Sequence, residues 1–458
     1  PPPLGAPLSF RDTMTDLTSF HMFTGAGGGF LGFKNAGFHS LGAIDNDPLA
    51  CEDHGILTGE PATCADVLKM HARDLRRMTG GETPDVFVCT APCVGFSGCL
   101  PKSMAEQEEY QLLNSLALQG LSIALDAWDR PPPLLLFENV PRITARGRVW
   151  LDRLKALLQH YGYSVAETVH NCGEIGGLAQ NRVRFLLVAR HMGQVPNFLH
   201  VPPTKRVRGV GEVIGDLPIP LPPESAAWLA ENGGVMHRLP KLSALNWLRL
   251  WAVTAGLDWK SLPAQVRLPY RKERQNGGLG VVAWDEPSHT VVAAATVKSA
   301  WASVADPRLG CKPRNGAYGV VHWDQPSKTV LGHACHDNSP ASVADPRVVM
   351  GDGREVDLSD ERPGHLVLIA PDGTWHRPFT TLELAAIQGF PTKINGEWLR
   401  LTGNSHKHWR LVIGNAVPVQ AAEAIARACA ETLEESRRGG WSLTGRKIWV
   451  TPRTGLAA

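Results

Sequence analysis

Between Thr18 and Asp45 the chain reads as a short apolar run, then "FTGAGGGFLGFKNAGF", then "SLGAIDNDPLA". No other stretch constrains the fold as strongly. A run too short for a helix, a turn with glycines at 25, 27, 28 and 29, a helical segment and a second apolar run ending in acid form a strand-turn-helix-strand unit. Glycines in such a turn let the backbone approach a ligand with no Cβ in the way, and the helix N-terminus behind them favours polar or anionic groups. Asp45, at the end of the second strand, suits a ribose diol. Taken alone, the pattern is equally compatible with a glycine-rich turn that binds nothing.

The alternation continues. "DVFVCTAPC", an apolar helical stretch from Leu112 to Trp128, "PPPLLLFENV", an amphipathic helix from Val149 to His160, and "RVRFLLVARH" follow in order. Strand followed by helix, repeated, predicts an α/β fold of Rossmann-like type, with helices on both faces of a mainly parallel sheet. Chemistry in such sheets gathers at the carboxyl ends of the strands. Cys93, after "AP", and Glu138, in "FENV", both lie just past such ends, so the topology predicts that they face one crevice.

After about Arg190 the pattern changes to proline-rich loops, tryptophans and short β-like runs, which predicts a second, smaller, mostly β or irregular domain. An internal repeat lies within it. "GVVAWDEPSHTV" returns as "GVVHWDQPSKTV" and "ASVADPR" returns as well, both at the offset of 39 that separates Trp284 from Trp323. Its structural reading is two copies of a β-hairpin unit stacked on each other; its functional reading is a duplicated surface for a repetitive partner. From about Ser405 the strand-and-helix pattern resumes with "RLVIGNAVPVQAAEAIARACAETLEE", a turn and a helix expected to pack back on the first domain.

Composition narrows the functional classes. With 46 basic and 44 acidic residues the formal charge is +2, so any contact with nucleic acid must come from local patches such as "TKRVRG" and "YRKER". Nine cysteines without a CxxC pair predict free thiols in a reducing, intracellular setting. No apolar run approaches the roughly 18 to 20 residues of a membrane span, and "PPPLGAPLSF" lacks the layout of a signal peptide, so no membrane association is expected.

A cysteine becomes a nucleophile when its thiolate is stabilised or proton transfer is supplied nearby, and a glutamate in an apolar crevice can be the acid. Cys93 and Glu138 would make such a pair. The "LLLF" before Glu138 should bury it and raise its pKa. Cys93 as an inert thiol and Glu138 as a helix cap remain open on spacing alone. Cys89, inside its apolar run, is expected to be a buried structural thiol.

Six motifs, in order and over almost the whole chain, resemble those of the DNA (cytosine-5)-methyltransferase family. They are "FTGAGGGFLGFKNAGF", "APCVGFS", "FENV", "AQNRVRF", "TTLELAAIQGFP" and "GNAVP". The resemblance implies S-adenosylmethionine as cofactor and double-stranded DNA as substrate. It implies that Cys93 attacks C6 of a flipped-out cytosine and that Glu138 holds N3 and the exocyclic amine. Arg184 would contact O2, and Arg182 would support the site or the DNA backbone. Phe23, Gly25 and Gly28 would contact the cofactor, Asp45 its ribose and Asp66 its adenine amine, while Pro92 and Asn415 complete the pocket. No metal is implied. The mobile closing loop would follow Cys93.

The resemblance also implies an organisation: a catalytic domain over 1–200, a target recognition domain over 201–377, and a returning segment over 378–458. A monomer in the cytoplasm of a prokaryotic or phage-infected cell is expected, with a restriction endonuclease as a possible cognate partner. Two departures stand out. His21 occupies the place of the aspartate that usually opens the first motif, and Val94 that of the glutamine after the nucleophile. His21 beside the cofactor pocket leaves an altered cofactor preference open. A catalytically silent DNA-binding homologue, and a C5-modifying enzyme that acts on RNA or transfers another group, are the alternatives.

Overall fold

The computed structural model describes residues 16–92, 108–220, 226–240, 250–257, 280–292, 301–309, 320–322, 342–344, 368–369, 375–439 and 447–450. Its framework is a sheet of seven strands. In chain order these are β1 (Thr18–Met22), β2 (His39–Asp45), β3 (Thr63–Cys64), β4 (Val86–Cys89), β5 (Leu134–Asn139) and β6 (Tyr163–Asn171), then, past the two-residue β7 (Gln180–Asn181), β8 (Val183–His191). The spatial order is β3-β2-β1-β4-β5-β8-β6. Neighbours from β3 to β5 are parallel, and β8 runs antiparallel to both β5 and β6.

The central strands are apolar on both faces because helices cover both. Phe20, Phe87, Leu135 and Phe137 point into one core, with Leu121, Leu151 and Leu154 from the helices Glu108–Asp126 and Arg148–His160. Val86, Val88, Leu134, Leu136 and Leu186 point into the other, with Cys429 and Leu433 from the helix Val419–Arg437. Alternate residues of one strand thus serve opposite layers, as the strand period of two requires. The C-terminal helix packs back on this domain: its Ala422 lies so close to the helix Gly28–Asn35 that a Cβ on Gly32 would sit 2.5 Å from the Ala422 Cβ.

Helix ends follow local chemistry. Asp47 accepts the Leu49 N–H at 3.0 Å and precedes Pro48, starting the helix Pro48–Thr58, and Gly59 closes it at φ 73°. Thr380 and Glu383 form a reciprocal capping box on the helix Thr381–Ile387.

Beyond β9 (Leu199–His200) the chain builds β10 (Gly280–Val282), β11 (Ser288–His289), β12 (Trp301–Ala305), β13 (Val320–His322), β14 (Ser342–Ala344), β15 (Leu368–Ile369) and β16 (Trp375–Pro378). A second sheet has the order β10-β12-β16-β15, and β13 pairs with β14 in a separate two-stranded sheet. The hairpin reading of the repeat is corrected here. In each copy the two strands pair in parallel, β10 with β12 and β13 with β14, so an excursion rather than a tight turn joins them. Among the described residues no strand of one copy pairs with a strand of the other.

A third core joins this region to the glycine turn, the helix Pro48–Thr58 and the C-terminal segment: Val210, Ile214, Val282 and Val304 pack with Ala26, Leu57, Phe379, Leu382 and Trp409. The hairpin β17 (Lys393–Ile394) and β18 (Glu397–Trp398) turns through Asn395 and Gly396, both at positive φ, and β19 (Ile448–Val450) pairs with β9. No helix among the described residues is long and apolar enough to cross a membrane.

Candidate active site

The carboxyl ends of β1, β2, β4 and β5 open on one cavity of about 280 Å³. Phe23, Gly25 and Asp45 line it from the first strand-turn-helix-strand unit, Pro92 from the end of β4, Glu138 from β5, and Arg182, Arg184 and Asn415 from the later segments. Residues from Phe23 to Asn415 therefore meet on one wall system, as the strand-end rule for α/β sheets leads one to expect.

The loop after β1 is strained in a specific place. Phe23 has φ 62°, a left-handed conformation that costs a bulky side chain about 1–3 kcal/mol. Thr90 holds it by donating its hydroxyl to the Phe23 carbonyl at 2.7 Å. Gly25, at φ +55°, has nothing within 4 Å of where a Cβ would stand, so the backbone here faces open space. The Asp45 carboxylate accepts the Gly25 N–H at 2.8 Å and the Asp47 N–H at 3.1 Å, which fixes it on the cavity rim.

Glu138 and Arg184 face each other, with Arg184 Nε 3.2 Å from Glu138 Oε1 and only 14% and 19% of the Arg184 and Glu138 side chains exposed. Burial raises the Glu138 pKa above the ordinary carboxylate value, and the positive charges of Arg184 and Arg182 offset part of that rise. The helix-cap alternative for Glu138 is gone, since the residue lies within β5.

Arg182 has a structural task. It is 2% exposed and donates to the carbonyls of Val291 at 3.0 Å, Gly414 at 3.0 Å and Ala416 at 3.1 Å. It thereby stitches the "QNRVR" strand to the "GNAVP" turn at the cavity wall. Gln180 and Gln388 complete the stitching: Gln180 Nε2 donates to Gln388 Oε1 at 2.8 Å, and Gln388 Nε2 to the Ala416 carbonyl at 2.6 Å. Gln388 and Thr90 escaped the sequence reading. A polar residue ending the apolar helix in "LAAIQGFP" was the available signal for the first; nothing in the sequence marked the second.

Two of the residues expected at the cofactor are not among those that line the cavity. Gly28 does not line the cavity; a Cβ there would sit 2.3 Å from the Val417 carbonyl oxygen, so this glycine permits close packing of the first helix on the "GNAVP" turn. Asp66 does not line it either. Its carboxylate accepts the Leu68 N–H at 3.0 Å, capping a short turn, and pairs with Lys69 at 3.3 Å. His21 also lies away from the lining. It is 3% exposed, packed against Phe30 and Phe33 with ring centroids 5.4 and 5.0 Å away, and burial with the nearby His54 lowers its pKa to about 3. A neutral imidazole in an aromatic cluster replaces the expected neighbour of the cofactor.

Cys93, Val94 and the loop after them lie outside the described residues, which reach Pro92 on the cavity wall. Cys89 is fully buried, and burial pushes its thiol up to about 12, as expected of a structural cysteine. In the basic cluster "TKRVRG", Arg206 is paired with Glu212 at 2.6 Å and Arg208 donates to the Gly177 carbonyl at 2.7 Å; "YRKER" lies outside the described residues. Among the described residues no group of His, Cys, Asp and Glu could hold a metal ion.

Residues 17–222 and 327–431 match the profile of the family described as C-5 cytosine-specific DNA methylase. The chain is 32% identical over 211 residues to the type II methyltransferase M.XorII of Xanthomonas oryzae pv. oryzae, covering 45% of this chain and 47% of that protein. It is 27% identical over 212 residues to M1.HphI of Haemophilus parahaemolyticus, covering 44% of this chain and 53% of the relative. The alignments thus span about half the length of these curated relatives. A methyltransferase structure from Entamoeba histolytica superposes with a TM-score of 0.55 at 11% identity, covering 92% of this chain and 99% of that one, which shows a shared fold. The family profile extends over well more than half of the sequence, and the chain belongs to the C-5 cytosine-specific DNA methylase family.

Proposed function

We propose that the protein is a DNA (cytosine-5)-methyltransferase that uses S-adenosylmethionine and acts on a cytosine flipped out of duplex DNA. One observation carries this reading: Glu138 and Arg184, 3.2 Å apart, line the same cavity as Phe23, Gly25 and Asp45. One part of the cavity offers an acid and a guanidinium for the edge of a planar base. The other offers an aromatic ring, an open glycine backbone and a fixed carboxylate, a donor set that fits a nucleoside-bearing cofactor. Phe23, Gly25 and Asp45 would hold S-adenosylmethionine, with Pro92 and Asn415 closing the pocket. When bound, that cofactor supplies a methyl group activated by a sulfonium centre.

The chain's own residues supply the rest. Cys93, as thiolate, forms a bond to C6 of the cytosine, which breaks the 5,6 double bond and makes C5 nucleophilic. Glu138, whose pKa burial raises, donates a proton to N3, accepts from the exocyclic amine and offsets the charge that develops in the ring. Arg184 holds O2, and Arg182 fixes its strand. After C5 is methylated its proton passes to water acting as base, the C5–H electron pair reforms the 5,6 double bond, and Cys93 leaves C6 as thiolate with the C–S pair. Neither face of C5 and C6 is open in a stacked duplex, so the base must leave the helix at a cost of about a few kcal/mol.

In this reading residues 1–200 carry catalysis, 201–377 recognise the target and 378–458 return to complete the pocket. The protein works as a monomer in the cytoplasm, on double-stranded DNA. A cognate restriction endonuclease is the expected partner, since the curated relatives are named type II methyltransferases.

The test is trapping on duplex DNA that carries 5-fluorocytosine in varied contexts, with S-adenosylmethionine, comparing the intact chain with Cys93→Ser. Fluorine cannot leave C5 as a proton does, so the intact chain should stay covalently attached and the variant should not. DNA binding without an adduct in any context would refute the proposal, and an adduct formed on RNA instead would change its substrate.

A further inference from the structure

One copy of the repeat occupies a seat, and the side chains that hold it there recur in the sequence of the other copy, most of which lies outside the described residues. The first copy docks on the Gly209–Leu217 turn and on β7 of the catalytic domain through its "WDEPSHTV" stretch. Gly211 N–H donates to the Trp284 carbonyl and Val210 N–H to the Glu286 carbonyl, both at 2.8 Å, and Ser288 N–H donates to the Ala179 carbonyl at 2.7 Å. Strand β11 pairs with β7, Thr290 Oγ1 donates to the Asn181 carbonyl at 2.8 Å, and the Val291 carbonyl receives Arg182. Its "ADPR" end is held as firmly. Asp306 accepts from the buried Arg377 at 2.7 Å, while Arg308 donates to the carbonyls of Gly215 and Leu217, both at 2.7 Å, and lies over the Trp284 ring at 4.9 Å.

These contacts use either main-chain atoms or side chains that recur 39 positions later: Trp323, Ser327, Thr329, Val330, Asp345 and Arg347. Strand geometry recurs too. Val281 pairs with Ser303 and Val282 with Val304 in the first copy; Val320 pairs with Ser342 and Val321 with Val343 in the second, each the first register plus 39. The family match makes the same point from sequence, because it omits 223–326, which contains the seated copy, and resumes at 327 inside the second. The surroundings of Trp301 distinguish the copies, since its ring packs on the third core, over Gly280 and against His289. The His289 ring lies against Trp301 with centroids 4.0 Å apart, and the corresponding positions of the second copy are Lys328 and Pro340.

We propose that segments 280–308 and 319–347 are alternative occupants of the one seat on β7 and the Gly209–Leu217 turn, with the His289–Trp301 contact biasing the choice to the first. Exchange needs no threading, since the displaced copy loops out between Leu257, which bonds the Val281 main chain and follows the packed segment around His237, and Trp375. The recognition region then has two arrangements over one catalytic domain, each still supplying the carbonyl that orients Arg182.

Disulfide trapping in the full chain tests this without reference to activity. Asn181 and His289 are exposed register partners in a parallel strand pair, within disulfide reach. In a glutathione buffer, with bonds mapped by mass spectrometry, Asn181→Cys with His289→Cys should cross-link as the main product. Asn181→Cys with Lys328→Cys should also cross-link, faster than a control that pairs Asn181→Cys with Lys393→Cys. Adding Trp301→Ala should raise the Lys328 product roughly two- to tenfold, the range expected for loss of one aromatic contact. If the His289 pair closes but the Lys328 pair stays at the control level even with Trp301→Ala, exchange does not occur. Failure of both pairs in a chain that is folded by circular dichroism overturns the proposal as well, because then neither copy holds the seat.

Discussion

In the proposed mechanism Glu138 concentrates the chemistry in one titration. Its pKa is raised by burial, so it keeps its proton further up the pH scale than an exposed glutamate and loses it as pH climbs through the raised value. A step that needs the protonated acid therefore weakens on the alkaline side. Glu138→Gln removes the titrating proton; kcat should fall by about 10²-fold or more, and the alkaline limb attributable to Glu138 should vanish from the pH-rate profile. An unchanged limb would assign it to another group. His21 gives the opposite kind of prediction. Its folded pKa of about 3 lies below the ordinary histidine value of 6.5, so the unfolded chain binds a proton that the folded chain refuses. Stability is full above about pH 6.5 and declines as pH falls toward 3, by at most about 1.4 kcal/mol per pH unit from this residue. Urea titrations of the protein and of His21→Leu should diverge across this window, the variant losing less stability on acidification.

At the scale of elements, the packing of the helix Gly28–Asn35 on the helix Val419–Arg437 depends on glycines for space rather than for backbone freedom. At Gly32 a Cβ would meet the Ala422 Cβ and the Val419 carbonyl oxygen, both at 2.5 Å. Gly32→Ala should destabilise the protein by about 1–3 kcal/mol, seen as a lower urea midpoint at unchanged slope. Because the "GNAVP" turn and the N-terminal helix form this junction, the variant should also weaken cofactor binding measured by calorimetry. An unshifted midpoint would mean that the two helices separate at little cost. The strand and helix positions of the catalytic half were largely legible in sequence. "VFVC" and "LLLF" are buried strands, and the helix expected over Val149–His160 runs Arg148–His160 with Leu151, Leu154 and Leu158 inward. The repeat was legible as a repeat but not in its pairing, because two short apolar strands with a connection between them carry no mark of parallel or antiparallel direction.

For the whole molecule, the joint between the recognition region and the "TTLELAAIQGFP" helix is a buried charge cluster. Arg377 is fully buried and forked between Asp306 and Glu383, each at 2.7 Å, and Glu383 in turn caps its helix. Removing one member leaves uncompensated buried charge, so Asp306→Ala should cost about 3–5 kcal/mol, whereas a fully apolar replacement of the cluster should cost far less. Thermal unfolding of the two variants distinguishes these outcomes; equal losses would mean that packing, not charge, holds the joint.

Taken alone, the sequence determined the alternation of strand and helix, the glycine turn, the residue types of the chemistry and, through six ordered motifs, the family. Those features are local or depend on order along the chain, and so survive in a linear reading. Only the tertiary structure decided that Arg182 braces carbonyls, that Gly28 allows close packing and Asp66 caps a turn, that His21 is neutral among aromatic rings, and that Glu138 meets Arg184. Each of those outcomes turns on burial and on partners distant in sequence: desolvation sets which groups keep a charge, and close approach sets which glycines are needed.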